Sequence, residues 1–168
     1  MTPTSGLVMG TRIGDIDPGV LIYMEESLGI NIKEIKRIIN NESGLKGLTG
    51  FNDLRLIQEQ YLKGDQKAEL ALNLYSYRIK KYIGSYLAII GNVDAIVFTA
   101  GVGENSIVLR KLICDNLEVF GIEIDEEKND IKARKLTEIH STNSKVKILI
   151  VPTNEEVEIA KQSFELIS

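Results

Sequence analysis

The stretch Asp94-Ala95-Ile96-Val97-Phe98-Thr99-Ala100-Gly101-Val102-Gly103-Glu104-Asn105 decides how this chain is read. Its apolar, β-prone run ends in two glycines separated by one residue, then an acidic residue and an asparagine. A helical pattern begins at Ser106. The order is strand, tight glycine turn, helix N-terminus. Glycine lets backbone approach a ligand closely, and the unpaired N–H groups of a first helical turn favour an anion. A nucleotide phosphate or ribose suits such a turn, although many α/β proteins turn a strand into a helix through glycine without any ligand.

Working outward, a second apolar run at Val146–Val151 predicts another strand, followed by a helix over Glu155–Ile167. Both runs are continuous rather than alternating, the pattern of strands covered on both faces in an α/β sheet. Between them the sequence predicts a helix at 106–116, an irregular or extended piece at 119–124 and a polar helix at 126–138. Upstream, residues 1–17 form loop or short extended structure. Asp17 caps a helix opened by Pro18 and stopped by Gly29, and Asn31 starts a second helix with Ile32, Ile35, Ile38 and Ile39 at helical spacing. Ser43–Gly50 is a turn-rich connector, and 52–62 is a short helix capped by Asn52 or Asp53. The longest helix runs from Asp65 to about Ile90; it is apolar on more than one side, which predicts burial between layers. Two or three strands against six helices make a thin sheet, so either strands are missed or the polypeptide is part of something larger.

With 168 residues, 43% hydrophobic and 26% charged, the composition is that of a globular domain. A net charge of −4 offers no basic field for nucleic acid or an anionic membrane. No apolar run is long enough to span a bilayer, and Met1–Gly6 lacks the features of a signal peptide. A single cysteine, Cys114, excludes an internal disulfide and fits a reducing, cytoplasmic setting; its apolar neighbours mark it as core filler. The only histidine, His140, has no second His or Cys near it in sequence, which argues against a zinc-type site.

Three further clusters carry candidate chemistry. In Met9–Pro18, Arg12 stands between Gly10 and Gly14; its planar fork suits phosphate or carboxylate, and pairing with Asp15 or Asp17 across a turn is the plainer alternative. In Gly50–Arg55, Asp53 and Arg55 sit at a helix start, where capping by Asp53 is the simpler account. In Val151–Glu156, Glu155 and Glu156 fall in a first helical turn. Carboxylates are favourable there, and the C-terminal end of a parallel strand is also where a nucleotide-bound Mg²⁺ is held.

Taken together, MGTRIGDIDP at 9–18, GLTGFNDLR at 47–55, VDAIVFTAGVGEN at 93–105 and VPTNEE at 151–156 resemble the C-terminal part of the acetate kinase family. The phrases Tyr77–Gly84 and Ser144–Leu149 are similar to that family as well, so the resemblance covers nearly the whole chain. It implies an α/β fold of the ribonuclease H-like, actin-like ATPase type: the C-terminal portion of such a domain, with helices around a small, truncated sheet. It implies phosphoryl transfer from ATP to acetate, giving acetyl phosphate and ADP with Mg²⁺. Carried across residue by residue, Arg12 matches the arginine that contacts the transferring phosphoryl group. Asp53, Leu54 and Arg55 match a segment beside the adenosine, and Gly101, Val102, Gly103, Glu104 and Asn105 match the loop that wraps the nucleotide. Glu155 matches the glutamate that helps place Mg²⁺. Family members are longer on the N-terminal side. By that comparison residues 1–168 are a partial C-terminal domain, with the N-terminal domain and the first strands of its own sheet absent. The expected partners are ATP or ADP, acetate only with the missing half, and either a second copy or a separate N-terminal chain. A propionate or butyrate kinase, or a non-catalytic ATP-binding module of the same fold, are the alternatives.

Overall fold

Two apolar segments pair in parallel and organise the second half of the chain. The computed structural model describes residues 3–167. Its contacts divide the chain into two compact units, the first ending at Tyr86 and the second beginning at Leu87.

The first unit is helical. Asp17 caps α1 (Pro18–Glu26) by accepting from the Gly19 N–H, and Asn31 caps α2 (Ile32–Arg37) by accepting from the Glu34 N–H. The pattern at Ile38 and Ile39 does not continue as α-helix but loosens into a π-helical turn over Ile38–Glu42. The segment expected as a turn-rich connector contains a helix, α3 (Gly44–Thr49). Its formation depends on a distant partner. The Leu45 and Lys46 N–H groups, orphaned at a helix start, donate to the Met9 and Gly10 carbonyls at 2.9 Å each. Gly44 makes this possible. It lies at φ +60°, and a Cβ there would collide with the carbonyl oxygens of Met9 and Arg12. Asp53 caps α4 (Leu54–Leu62), and α5 (Gln66–Ile90) follows. The core of this unit is Val8, Ile35, Leu45, Ile57, Ala68, Ala71 and Leu72.

The expectation that the long helix is buried between layers is corrected. Only Ala68, Ala71, Leu72 and Ser76 of α5 are buried, all in its first half. Leu70, Tyr77, Tyr86, Ile89 and Ile90 are exposed, so one stripe rather than the whole circumference is covered.

In the second unit β1 (Ala95–Thr99) pairs in parallel with β3 (Lys147–Val151), in a register that sets Thr99 against Val151. A third strand, β2 (Thr137–Glu138), joins β3 antiparallel and gives the order β1-β3-β2. The sheet is therefore small and mixed. Its strands alternate in burial: Phe98, Ile148 and Ile150 are covered while Val97 is 51% exposed. Coverage of both faces, expected from the continuous apolar runs, is not what the chain achieves by itself; one face is buried at Phe98, Ile148 and Ile150 and half-buried at Ile96. Leu109, Ile113, Cys114, Leu117, Ile122 and Ile139 complete that core, with Cys114 only 1% exposed.

The glycine turn also differs from expectation. Ala100–Asn105 is itself a short helix, α6, and Ser106 then caps α7 (Ile107–Cys114) through the Leu109 N–H. The polar helix expected over 126–138 is confined to α8 (Glu126–Asn129). It stops because the fully buried Arg110 takes the Asn129 side-chain oxygen at 2.7 Å and the Asn129 carbonyl at 3.0 Å, and reaches the Ile131 carbonyl at 3.2 Å. That carbonyl no longer serves a helical ladder, and the chain is released to form β2. A 3₁₀ turn at Glu118–Phe120 and the bridge between Ile124 and His140 account for the irregular 119–124 piece. The final helix, α9 (Glu155–Ile167), has no buried residue.

Candidate functional site

The second unit holds an open concavity lined by two of the predicted residues, Gly101 and Glu155. Because β1 and β3 are parallel and in register, their C-terminal ends lie side by side, and the Thr99 hydroxyl donates to the Val151 carbonyl at 2.7 Å. Each strand there turns into a helix, α6 and α9. Between the two turns is a cleft of about 400 Å³ lined by Ala100, Gly101, Thr153, Asn154, Glu155 and Glu156. A cleft beyond the carboxyl ends of parallel strands is the general ligand position in open α/β sheets.

Local chemistry shapes both lips. Ala100 adopts φ +57°, left-handed backbone that is unusual outside glycine and costs about 1 kcal/mol. It turns the chain from strand to helix within one residue, a kind of strain that clusters at functional sites. On the other lip Asn154 caps α9, its side-chain oxygen accepting from the Val157 N–H at 3.1 Å. Glu155, Glu156 and Glu158 occupy the first turn, where the helix dipole favours carboxylates.

Of the five residues Gly101–Asn105, only Gly101 lines the cleft. An added Cβ at Gly101 would meet nothing within 4 Å, so its missing side chain leaves room. Gly103 is small for a different reason: a Cβ there would stand 3.0 Å from the Phe98 carbonyl carbon, against its own strand. Close approach was expected on the ligand side, and at Gly103 it is instead internal packing. Val102 is exposed, and Asn105 turns back to donate to the Gly101 carbonyl at 2.9 Å. Glu104 reaches across, accepting from the Thr153 N–H at 2.8 Å and the Thr153 hydroxyl at 2.9 Å. Thr153, together with the backbone of Ala100, holds the Glu104 carboxyl below the usual carboxylate range, so it is ionised at neutral pH.

Arg110 is the residue that sequence reasoning missed. Its guanidinium donates to the Gly103 carbonyl at 2.9 Å and the Glu104 carbonyl at 2.8 Å besides its bonds to Asn129 and Ile131. Burial pushes its pKa down, yet backbone and amide oxygens satisfy its donors. It locks the C-terminal end of α6 from behind. An arginine flanked by Leu109, Lys111, Leu112 and Ile113 carries no sequence sign of this.

In the first unit the other predicted residues are tied into local structure. Arg12 donates to the Pro3 carbonyl at 2.8 Å. The expected alternative partners are engaged elsewhere: Asp17 caps α1, while Asp15 accepts from Tyr82 at 2.6 Å, Gly6 at 2.7 Å and Ser5 at 3.0 Å. Asp15 is consequently held below the usual carboxylate range, the Tyr82 hydroxyl being the main cause. Arg78 donates to the Asp15 carbonyl at 2.7 Å, which fixes the turn that follows Arg12. Asp53 accepts from the Arg55 N–H at 2.9 Å and pairs with the exposed Arg55 guanidinium at 2.7 Å. Capping by Asp53 is thus present, and Arg55 lowers the Asp53 pKa. Leu54 opens α4. The two motifs meet at backbone level: a Cβ on Gly10 would stand 3.3 Å from the Asn52 carbonyl.

Among the described residues no three His, Cys, Asp or Glu side chains gather to hold a metal ion, and no helix is long and apolar enough to cross a membrane. Magnesium does not require such a cage. It is commonly held through one or two carboxylates together with substrate phosphates and water, and the exposed Glu155 in the cleft fits that donor set.

Comparison with known proteins agrees with the motifs. Residues 1–161 match the acetokinase family. Acetate kinase of Flavobacterium johnsoniae is 53% identical over 166 residues, covering 99% of this chain and 42% of that protein. The crystal structure of Porphyromonas gingivalis acetate kinase superposes with a TM-score of 0.88 at 43% identity, covering 99% of this chain and 42% of that one. A propionate kinase from Francisella tularensis gives 0.86 at 43% identity, covering 95% and 40%. The chain thus spans about two fifths of the length of the relatives it matches. Its mostly helical α/β architecture with a small mixed sheet corresponds to part of an acetate kinase, and the chain belongs to the acetokinase family.

Proposed function

We propose that this chain supplies much of the nucleotide and Mg²⁺ side of an acetate kinase, as a partial C-terminal domain of the ribonuclease H-like, actin-like fold. The single observation that carries the proposal is the cleft between Gly101 and Glu155 at the paired ends of β1 and β3. Gly101 leaves space for the nucleotide, with Val102, Gly103, Glu104 and Asn105 forming the body of the loop beside it. Glu155 is the residue that would hold Mg²⁺, whose contribution when bound is to neutralise phosphate charge. Arg12 contacts the transferring phosphoryl group, and Asp53, Leu54 and Arg55 lie along the adenosine.

In the reaction an acetate oxygen attacks the γ-phosphorus of ATP, the bond from that phosphorus to its bridging oxygen breaks, and ADP leaves. Such transfer depends on positioning and on charge placed around the phosphates from several sides. A polypeptide carrying only these residues therefore binds nucleotide weakly and has negligible turnover. Acetate, and a second copy or a chain supplying the remaining length, complete the site. A cytoplasmic location suits these substrates.

Propionate as acceptor is a second reading: the propionate kinase structure matches at 43% identity with a TM-score of 0.86, against 43% and 0.88 for the acetate kinase structure, while the Flavobacterium acetate kinase at 53% identity favours acetate. Titration calorimetry of ATP into the 168-residue polypeptide, with Mg²⁺ and with chelator, tests the proposal. Mg²⁺-dependent binding without acyl phosphate formation is expected. No binding under either condition refutes the nucleotide site, and turnover matching a full-length relative refutes the incomplete one.

A further inference from the structure

We propose that Glu104 is a positioning residue, whose carboxylate holds the Thr153–Glu155 turn so that Glu155 faces the cleft. The inference rests on the nucleotide and Mg²⁺ site proposed above and gives Glu104 a different task from contact with the nucleotide.

Glu104 does not line the cleft. Its carboxylate accepts both the N–H and the hydroxyl of Thr153, at 2.8 and 2.9 Å, the residue two before Glu155. These bonds join α6 to the start of α9 across 49 residues of sequence. Charge-assisted bonds of this kind are stronger and more directional than neutral ones. The bracket is also anchored at its base. Arg110, itself fully buried, grips the Glu104 and Gly103 carbonyls and ties them to Asn129. A side chain rooted in so fixed a backbone aims its carboxylate at one place. Groups that orient a metal ligand without touching the metal commonly change metal affinity by a factor of ten or more.

The test measures fluorescent N-methylanthraniloyl-ATP binding, with Mg²⁺ and in chelator, for the wild type, Glu104→Ala, Glu104→Gln and Thr153→Ala. Glu104→Ala is expected to weaken binding about tenfold with Mg²⁺ and to leave binding in chelator unchanged. Glu104→Gln keeps a side-chain oxygen acceptor and should recover most of the loss. Combining Glu104→Ala with Thr153→Ala should be no worse than Glu104→Ala alone, because both remove the same link. Equal weakening in Mg²⁺ and chelator would make Glu104 a direct nucleotide contact and overturn the inference, as would no change at all. If Glu104→Ala does not fold by circular dichroism, Thr153→Ala decides: a loss confined to the Mg²⁺ arm supports positioning, and no such loss overturns it. A wild type that binds nothing removes the nucleotide site itself, a result separate from a wild type that binds and a variant that matches it.

Discussion

The two units treat their candidate residues in opposite ways. In the first, polar side chains are spent within the unit: Arg12 on Pro3, Asp53 on Arg55, and Asp15 on Gly6, Ser5 and Tyr82 of α5. In the second, the loops are braced from behind by Arg110 and sideways by Glu104, and Gly101 and Glu155 are left facing an open cleft. The contrast shows that resemblance to a motif and readiness to bind are separate properties. A residue that closes a turn in the chain by itself must exchange that partner before it serves a ligand, whereas one held at a cleft edge by others need not.

Four substitutions break or sharpen this comparison. The largest effect is expected for Gly44→Ala, because the new Cβ meets two backbone carbonyls and the residue sits in left-handed conformation. Thermal or urea unfolding should show a loss on the order of 2–4 kcal/mol; an unchanged midpoint would mean that the Met9–Arg12 segment is not held against α3. Next comes a pair in the second unit. Gly103→Val presses on the Phe98 backbone and should cost about 1–3 kcal/mol of stability, while Gly101→Val points into open space and should leave stability within about 1 kcal/mol. Nucleotide titration should then separate them: Gly101→Val folds normally and loses binding. If Gly101→Val binds ATP as the wild type does, the cleft is not the site.

The smallest effect is on acid stability. Asp15 has a lowered pKa, so its contribution is present above the range in which an unfolded carboxylate titrates, about pH 4, and is lost as pH falls through the lowered native value. Tyr82→Phe removes the main cause of the lowering. The drop in urea midpoint between about pH 7 and about pH 3 should narrow in the variant; an equal drop would show that the Tyr82–Asp15 bond does not contribute to folding.

What the sequence made legible follows from distance along the chain. Caps at Asp17, Asn31 and Asp53 act on N–H groups two or three residues away, so residue type and position sufficed. The parallel pair was legible as two apolar runs separated by helices, and Cys114 as filler from its neighbours. Helix α3 was not, because the groups that satisfy its first turn belong to Met9 and Gly10, far upstream. Strand β2 is two residues long and exists through its pairing with β3. The candidate site divides the same way. Gly101 and Glu155 were visible as a glycine and an acid after strands. The task of Glu104 was hidden because its partner lies 49 residues away, and that of Arg110 because it joins the nearby Gly103 and Glu104 carbonyls to Asn129, 19 residues on.

The order β1-β3-β2 gives the sheet a direction of growth. On one flank it ends in a two-residue strand that offers little backbone to a neighbour. On the other flank stands β1, five residues long, with β3 as its only mate among the described residues. Strands add at about 4.8 Å spacing wherever such a rail is open. Among the described residues the sheet is therefore open on one side, and a strand added there would run beside Ala95–Thr99, next to the lip that carries Ala100 and Gly101.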